Sequence, residues 1–177
     1  VIWGKRGEND NSETALRKAL EGSLRRLKVD HVELYYIHRR DWSIEIEEVT
    51  QTLSKFKNEG KIGGFGFSEI SPSSLRRAHA VHPVTAVQNE YSLWTRYPDL
   101  GMLQACRELG VIFVPFSPLG RGMLADTFPV PEEFLENDMR KSQPRFLEPN
   151  FSANCRIISG FRKFAKSRGW NTSCAAL

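Results

Sequence analysis

Four points in the 177-residue chain end an apolar run with polar side chains: His38-Arg39, Ser68-Glu69, Gln88-Asn89 and Ser117. The first closes V-E-L-Y-Y-I, an aromatic and β-branched stretch from Val32 that reads as a buried strand. His38 therefore stands at a strand's carboxyl end, where sheets and barrels of parallel strands bind ligands, and an imidazole titrates near neutral pH. A ring in that place is a candidate for acid–base chemistry. A buried histidine satisfied by backbone groups is the other reading of the same residue. Successive polar exits mark one rim as the working rim, because the opposite rim consists of helix-to-strand turns closed by glycine.

The elements that must hold these exits alternate in type. Asn11 or Ser12 caps a helix to about Leu27, with Leu16, Leu20, Leu24 and Leu27 on one stripe that must pack on a sheet. After the Val32 strand, a helix from about Glu45 carries Ile46, Val49, Leu53 and Phe56 and stops at Gly60. Residues 61–68 form the next strand, and its G-G-F-G run signals close packing. Ser71-Pro72 opens a short helix bearing Leu75 and Ala78, and residues 84–88 are a brief strand. Asp99 begins a helix with Leu100, Leu103, Cys106 and Leu109 facing inward, and residues 111–116 are a further strand. A final helix over about 154–168 presents Ile157, Phe161, Phe164 and Ala165, and Thr172 caps one more. Between them, residues 123–150 are rich in Pro and charge, lack periodicity, and read as a long rim loop that is functional or mobile. This order is the βα repeat of the α/β class.

Composition narrows the partners. Twenty-five basic and 21 acidic residues give a formal charge of +4, with the basic residues scattered, so nucleic acid is not expected as a partner. No apolar run approaches the ~20 residues that span a bilayer, and no basic-then-apolar leader is present, so the expectation is a soluble, cytoplasmic protein. Cys106, Cys155 and Cys174 are odd in number and lack C-x-x-C spacing; they read as reduced thiols, and no metal site is indicated. A doubly wound nucleotide fold is disfavoured because no G-x-G-x-x-G opens a helix. The start on Val1, with residues 1–7 reading as the tail of a strand, suggests a chain that begins mid-element.

The motifs L-Y-Y-I-H-R-R-D, N-E-G-K-I-G-G-F-G-F-S-E, A-V-Q-N-E-Y-S-L-W and F-S-P-L-G-R-G, in that order, resemble the aldo-keto reductases, in particular the branch of plant and bacterial alkaloid or pyridoxal-type reductases. The resemblance implies a (β/α)8 TIM barrel that binds NADPH at the carboxyl rim without a Rossmann motif. At 177 residues the chain is shorter than the ~250 of such a barrel, so one incomplete barrel domain over residues 1–177, with about five βα units, is expected. The implied activity is reduction of aldehydes or ketones to alcohols by hydride transfer, with a small carbonyl compound as substrate.

By the same resemblance, His38 is the histidine beside the carbonyl, and Lys5 is the lysine that tunes the catalytic tyrosine, or a surface lysine. Ser68 and Gln88 match the positions that hold the nicotinamide carboxamide, and Glu69 stands where many members have Asn. Phe116 matches the aromatic that stacks on the nicotinamide, and a core Phe is its other reading. Ser117, Leu119, Gly120 and Arg121 match the turn around the pyrophosphate. Trp94 and residues 123–150 could line the substrate entrance. The family's catalytic Tyr and Asp lie before Lys5, and its adenine site lies after the last helix, so activity of this chain alone is not expected. A non-catalytic relative that binds nucleotide or a protein partner is the alternative.

Overall fold

A computed structural model describes residues 9–177. The strand tail read at residues 1–7, and Lys5 with it, lie outside the described residues. The chain divides into two compact units, one of Val1–Glu90 with Tyr97–Phe116 and one of Tyr91–Arg96 with Ser117–Leu177.

In the first unit, Ser12 caps α1 (Glu13–Leu27) by accepting the Ala15 N–H at 3.3 Å. Leu16, Leu20 and Leu24 are buried. The expected stripe ends one turn early: Leu27 is 61% exposed. The chain then runs through β1 (Val32–Ile37), α2 (Ile46–Asn58), β2 (Ile62–Ser68), α3 (Pro72–Val81), β3 (Ala86–Glu90), α4 (Met102–Leu109) and β4 (Ile112–Phe116). All four strands are parallel, in the order β1-β2-β3-β4, with helices between consecutive strands. This is an arc of the expected β/α barrel, with four strands among the described residues; the remaining expected strand, at residues 1–7, lies outside them.

The sheet is buried from its centre outward. Phe65 and Phe67 of β2 are fully buried, with Val49, Leu53 and Phe56 of α2 and Leu75 of α3 in the same core. Each such side chain contributes about 2 kcal/mol through removal of apolar area from water. β1 departs from the expected two-faced burial: at one edge of the sheet among the described residues, it leaves Glu33 and Leu34 exposed, and Ile112 at the other edge is 60% exposed.

The helix expected from Asp99 starts later. Tyr97–Leu100 form a 3-10 turn, Gly101 takes φ +120°, and α4 follows with Met102, Ala105 and Cys106 buried while Leu100 is exposed. Gly101 supplies a backbone angle that other residues rarely adopt, and of the expected inward residues Cys106 is buried and Leu109 packs against the core.

In the second unit, the aperiodic stretch is not open loop. Short 3-10 turns at Pro131–Glu133, Met139–Ser142 and Pro144–Phe146 fold Phe134 and Phe146 onto Met123, Leu124 and Ile158. α5 (Asn150–Ser167) starts earlier than expected and buries Ile158 and Ala165, while Ile157 is 71% exposed. The inward stripe is thus turned by one residue, with Phe151, Cys155 and Phe161 packed beside it. α6 (Thr172–Ala176) has Asn171, not Thr172, at its cap position; Asp126 accepts the Thr172 N–H at 2.7 Å and the Ser173 hydroxyl at 2.8 Å. Among the described residues no helix is long and apolar enough to cross a membrane.

Candidate active site

Parallel register sets the spacing of the strand exits. Ile37 pairs with Phe67 and Phe67 with Val87; one step on, Ser68 pairs with Gln88 and Gln88 with Val114. His38 follows Ile37 directly, so His38, Ser68 and Gln88 leave three neighbouring strands at one level, about 4.8 Å apart from strand to strand. Side chains alternate between faces, so the level below carries Tyr36, Gly66 and Ala86 on the same face, away from Phe65 and Phe67. Phe116 ends β4 opposite Glu90, two residues beyond Gln88 and hence on that face as well. The sheet therefore brings together His38, Ser68, Gln88 and Phe116.

The turn after β1 is fixed by residues that a strand pattern does not reveal. Arg39 Nη1 donates to the His38 carbonyl at 2.6 Å and to Ser68 Oγ at 3.2 Å. Asn11, read from sequence as a possible helix cap, is buried and bonds instead to this turn: its Nδ2 donates to Arg39 O at 3.3 Å and its Oδ1 accepts the Asp41 N–H at 2.7 Å. The only signal for it in the sequence is a second capping-type residue beside Ser12. Burial, and then the neighbouring Arg39 guanidinium, push the His38 pKa below its ordinary value, because both disfavour the imidazolium. His38 and Arg39 also border a cavity of about 520 Å³ beside Tyr36, Ala19 and Arg26.

Beyond β2, Glu69 adopts φ +56°. Its N–H donates to Gln88 O at 3.1 Å and Asn89 Oδ1 at 3.0 Å, and its Oε1 accepts the Glu90 N–H at 2.6 Å. Asn89 Nδ2 donates to Ile70 O at 3.3 Å. Ser68 is buried, and Gln88 and Phe116 are half-buried at their strand ends.

In the second unit, Ser117 (φ +52°), Gly120 (φ +57°) and Arg121 (φ +58°) all lie in the left-handed region. The turn they build is closed on itself: the Gly120 N–H donates to Ser117 O at 2.9 Å, Gly122 N–H to Leu119 O at 3.1 Å, and Leu124 N–H to Leu119 O at 3.0 Å. Arg121 Nη1 stands 3.3 Å from Met139 Sδ. Trp94, named for the substrate entrance, packs half-buried against the apolar cluster of this unit. Among the described residues no group of three or more His, Cys, Asp or Glu could hold a metal ion.

The donor set suits a nicotinamide. A buried hydroxyl and a carboxamide at one level offer both a donor and an acceptor to a carboxamide, and the ring of Phe116 ends a neighbouring strand on the same face.

Comparisons with known proteins place the chain in a family. The profile of the Aldo/keto reductase family matches residues 3–177. A probable aldo-keto reductase 1 from Glycine max is 44% identical over 157 residues, which is 89% of this chain and 45% of that protein. The fold matches the glycerol dehydrogenase of Gluconobacter oxydans with a TM-score of 0.83 at 29% identity, over 93% of this chain and 50% of that one. It also matches the holo form of an aldo-keto reductase from Bacillus halodurans, with a TM-score of 0.63 at 30% identity over 75% and 43% of the two chains. The chain thus spans about half the length of the relatives it matches. With four motifs in register, a parallel β/α arc and a family profile over nearly its whole length, the chain belongs to the aldo/keto reductase family.

Proposed function

We propose that the protein is an NADPH-dependent oxidoreductase that reduces small aldehydes or ketones to alcohols, with His38 beside the substrate carbonyl. The observation that carries this reading is the single level shared by His38, Ser68 and Gln88 at three adjacent strand exits. A bound reduced nicotinamide would supply the hydride, and by the family resemblance the catalytic tyrosine would supply the proton that completes the alcohol. Ser68 and Gln88 orient its carboxamide and Phe116 offers a π-face to its ring, which fixes which face of the ring meets the carbonyl. His38, kept largely neutral at pH 7 by its lowered pKa, donates a hydrogen bond to the carbonyl oxygen and stabilises the negative charge that develops there. We assign the pyrophosphate to Arg121 and the backbone of Ser117, Leu119 and Gly120, and the lysine role to Lys5. Unpaired Cys106, Cys155 and Cys174 fit a reducing compartment, and we place the protein in the cytoplasm.

The test is carbonyl-dependent NADPH oxidation by the natural polypeptide, with a panel of small aldehydes and ketones. Turnover that falls at least a hundredfold in His38→Ala is the expected result, as for loss of one oxyanion donor. No turnover of any carbonyl compound, or full activity in His38→Ala, overturns the proposal.

A further inference from the structure

His38, Ser68 and Gln88 are each followed by a residue that reaches sideways to a neighbouring strand exit. Arg39, after His38, donates to Ser68 Oγ at 3.2 Å. Glu69, after Ser68, donates its N–H to Gln88 O at 3.1 Å and accepts the Glu90 N–H at 2.6 Å. Asn89, after Gln88, accepts the Glu69 N–H at 3.0 Å and donates to Ile70 O at 3.3 Å. The ties join β1 to β2 and, from both sides, β2 to β3. The middle tie requires Glu69 to hold φ +56°, a region that non-glycine residues keep only where their surroundings fix it. A glutamate is long enough to reach the Glu90 N–H from that position, and its carboxylate makes the bond a charge-assisted one.

We infer that Arg39 and Glu69 are positioning residues, which tie the carboxyl ends of β1, β2 and β3 together and so hold His38, Ser68 and Gln88 at fixed spacing. The purpose of the ties rests on the reductase reading; their existence does not. Glu69 acts on the cofactor site through Gln88 and Glu90, and its carboxylate is turned to the backbone, not toward a ligand.

The experiment uses the natural polypeptide with Glu69→Ala, Glu69→Gln and Arg39→Met, and reads two quantities. The first is hydrogen exchange of the Glu90 N–H by NMR; the second is NADPH affinity by nucleotide fluorescence. Glu69→Ala should speed exchange at Glu90 by about tenfold, and Glu69→Gln should keep most of the protection because its carboxamide oxygen accepts the same bond. The dissociation constant for NADPH should rise about tenfold in Glu69→Ala and Arg39→Met and stay within about twofold of wild type in Glu69→Gln. Unchanged Glu90 exchange in Glu69→Ala overturns the inference. Faster exchange with unchanged NADPH affinity also overturns it, since the tie would then be structural alone. A wild-type natural polypeptide that binds no NADPH overturns the reductase reading instead, and Glu90 exchange still decides whether Glu69 holds the β3 exit.

Discussion

The ring of Tyr36 closes over Gly66, its register partner on the next strand: a Cβ on Gly66 would lie 2.6 Å from Tyr36 Cε1 and 2.6 Å from the Ala86 carbonyl oxygen. The ring could rotate aside, but the carbonyl belongs to the sheet and cannot. Gly66→Ala should therefore cost about 2 kcal/mol, seen as a lower urea midpoint with an unchanged slope. Gly160, inside α5 with no neighbour within 4 Å of a Cβ, should behave oppositely. Replacing it with Ala should add up to about 1 kcal/mol through helix propensity alone. Equal midpoints for the two variants would contradict the packing argument.

His38 should titrate below the ordinary histidine value near 6.5, with burial the larger cause and Arg39 the smaller. The folded chain then binds fewer protons at His38 than the unfolded chain does, so this residue's contribution is present above pH ~6.5 and lost as pH falls through the lowered pKa. NMR titration of the imidazole should show that low value, and Arg39→Met should recover only part of the shift. Full recovery would mean that charge, not burial, sets it.

A second titration concerns acid stability. Arg17 of α1 forms a two-pronged bond to Glu59, at 2.7 and 2.8 Å, and this holds the Glu59 pKa at about 2. Since the folded pKa lies below the unfolded one, the pair stabilises the fold above pH ~4.5, and the effect disappears as pH falls toward 2. Glu13 and Glu21, bonded to Lys55 and Lys61, shift in the same direction. Urea midpoints between pH 5 and pH 2 should fall less steeply in Glu59→Gln than in wild type. Because the group is exposed, the difference should also shrink in high salt.

What could be read from sequence was whatever depends on local chemistry. Ser12, Ser71-Pro72 and Gly110 fixed the helix ends, and the polar residues after each apolar run marked the strand exits. What escaped was decided by partners distant in the chain. Leu27 and Ile157 lie on apolar stripes but stand exposed, and Asn11 serves a turn 30 residues away. The lateral ties of Arg39 and Glu69 were hidden for the same reason, since charged residues at a strand exit read as solvated until the register is known. Burial of Phe134 and Phe146 was invisible because 3-10 turns carry no period to reveal an inward face.

That last difference gives the final prediction. Phe146 is buried, meets Phe134 edge to face with centroids 5.8 Å apart, and lies 6.5 Å from Phe151. If residues 123–150 were an entrance loop over solvent, truncating Phe146 would cost almost nothing. As part of a core it should cost about 3 to 5 kcal/mol in Phe146→Ala. The adjacent Leu147 is 46% exposed, and Leu147→Ala should stay within about 0.5 kcal/mol of wild type. Urea unfolding followed by Trp94 and Trp170 fluorescence, both in the second unit, separates the cases. A Phe146→Ala midpoint equal to that of Leu147→Ala would return the segment to the status of a surface loop.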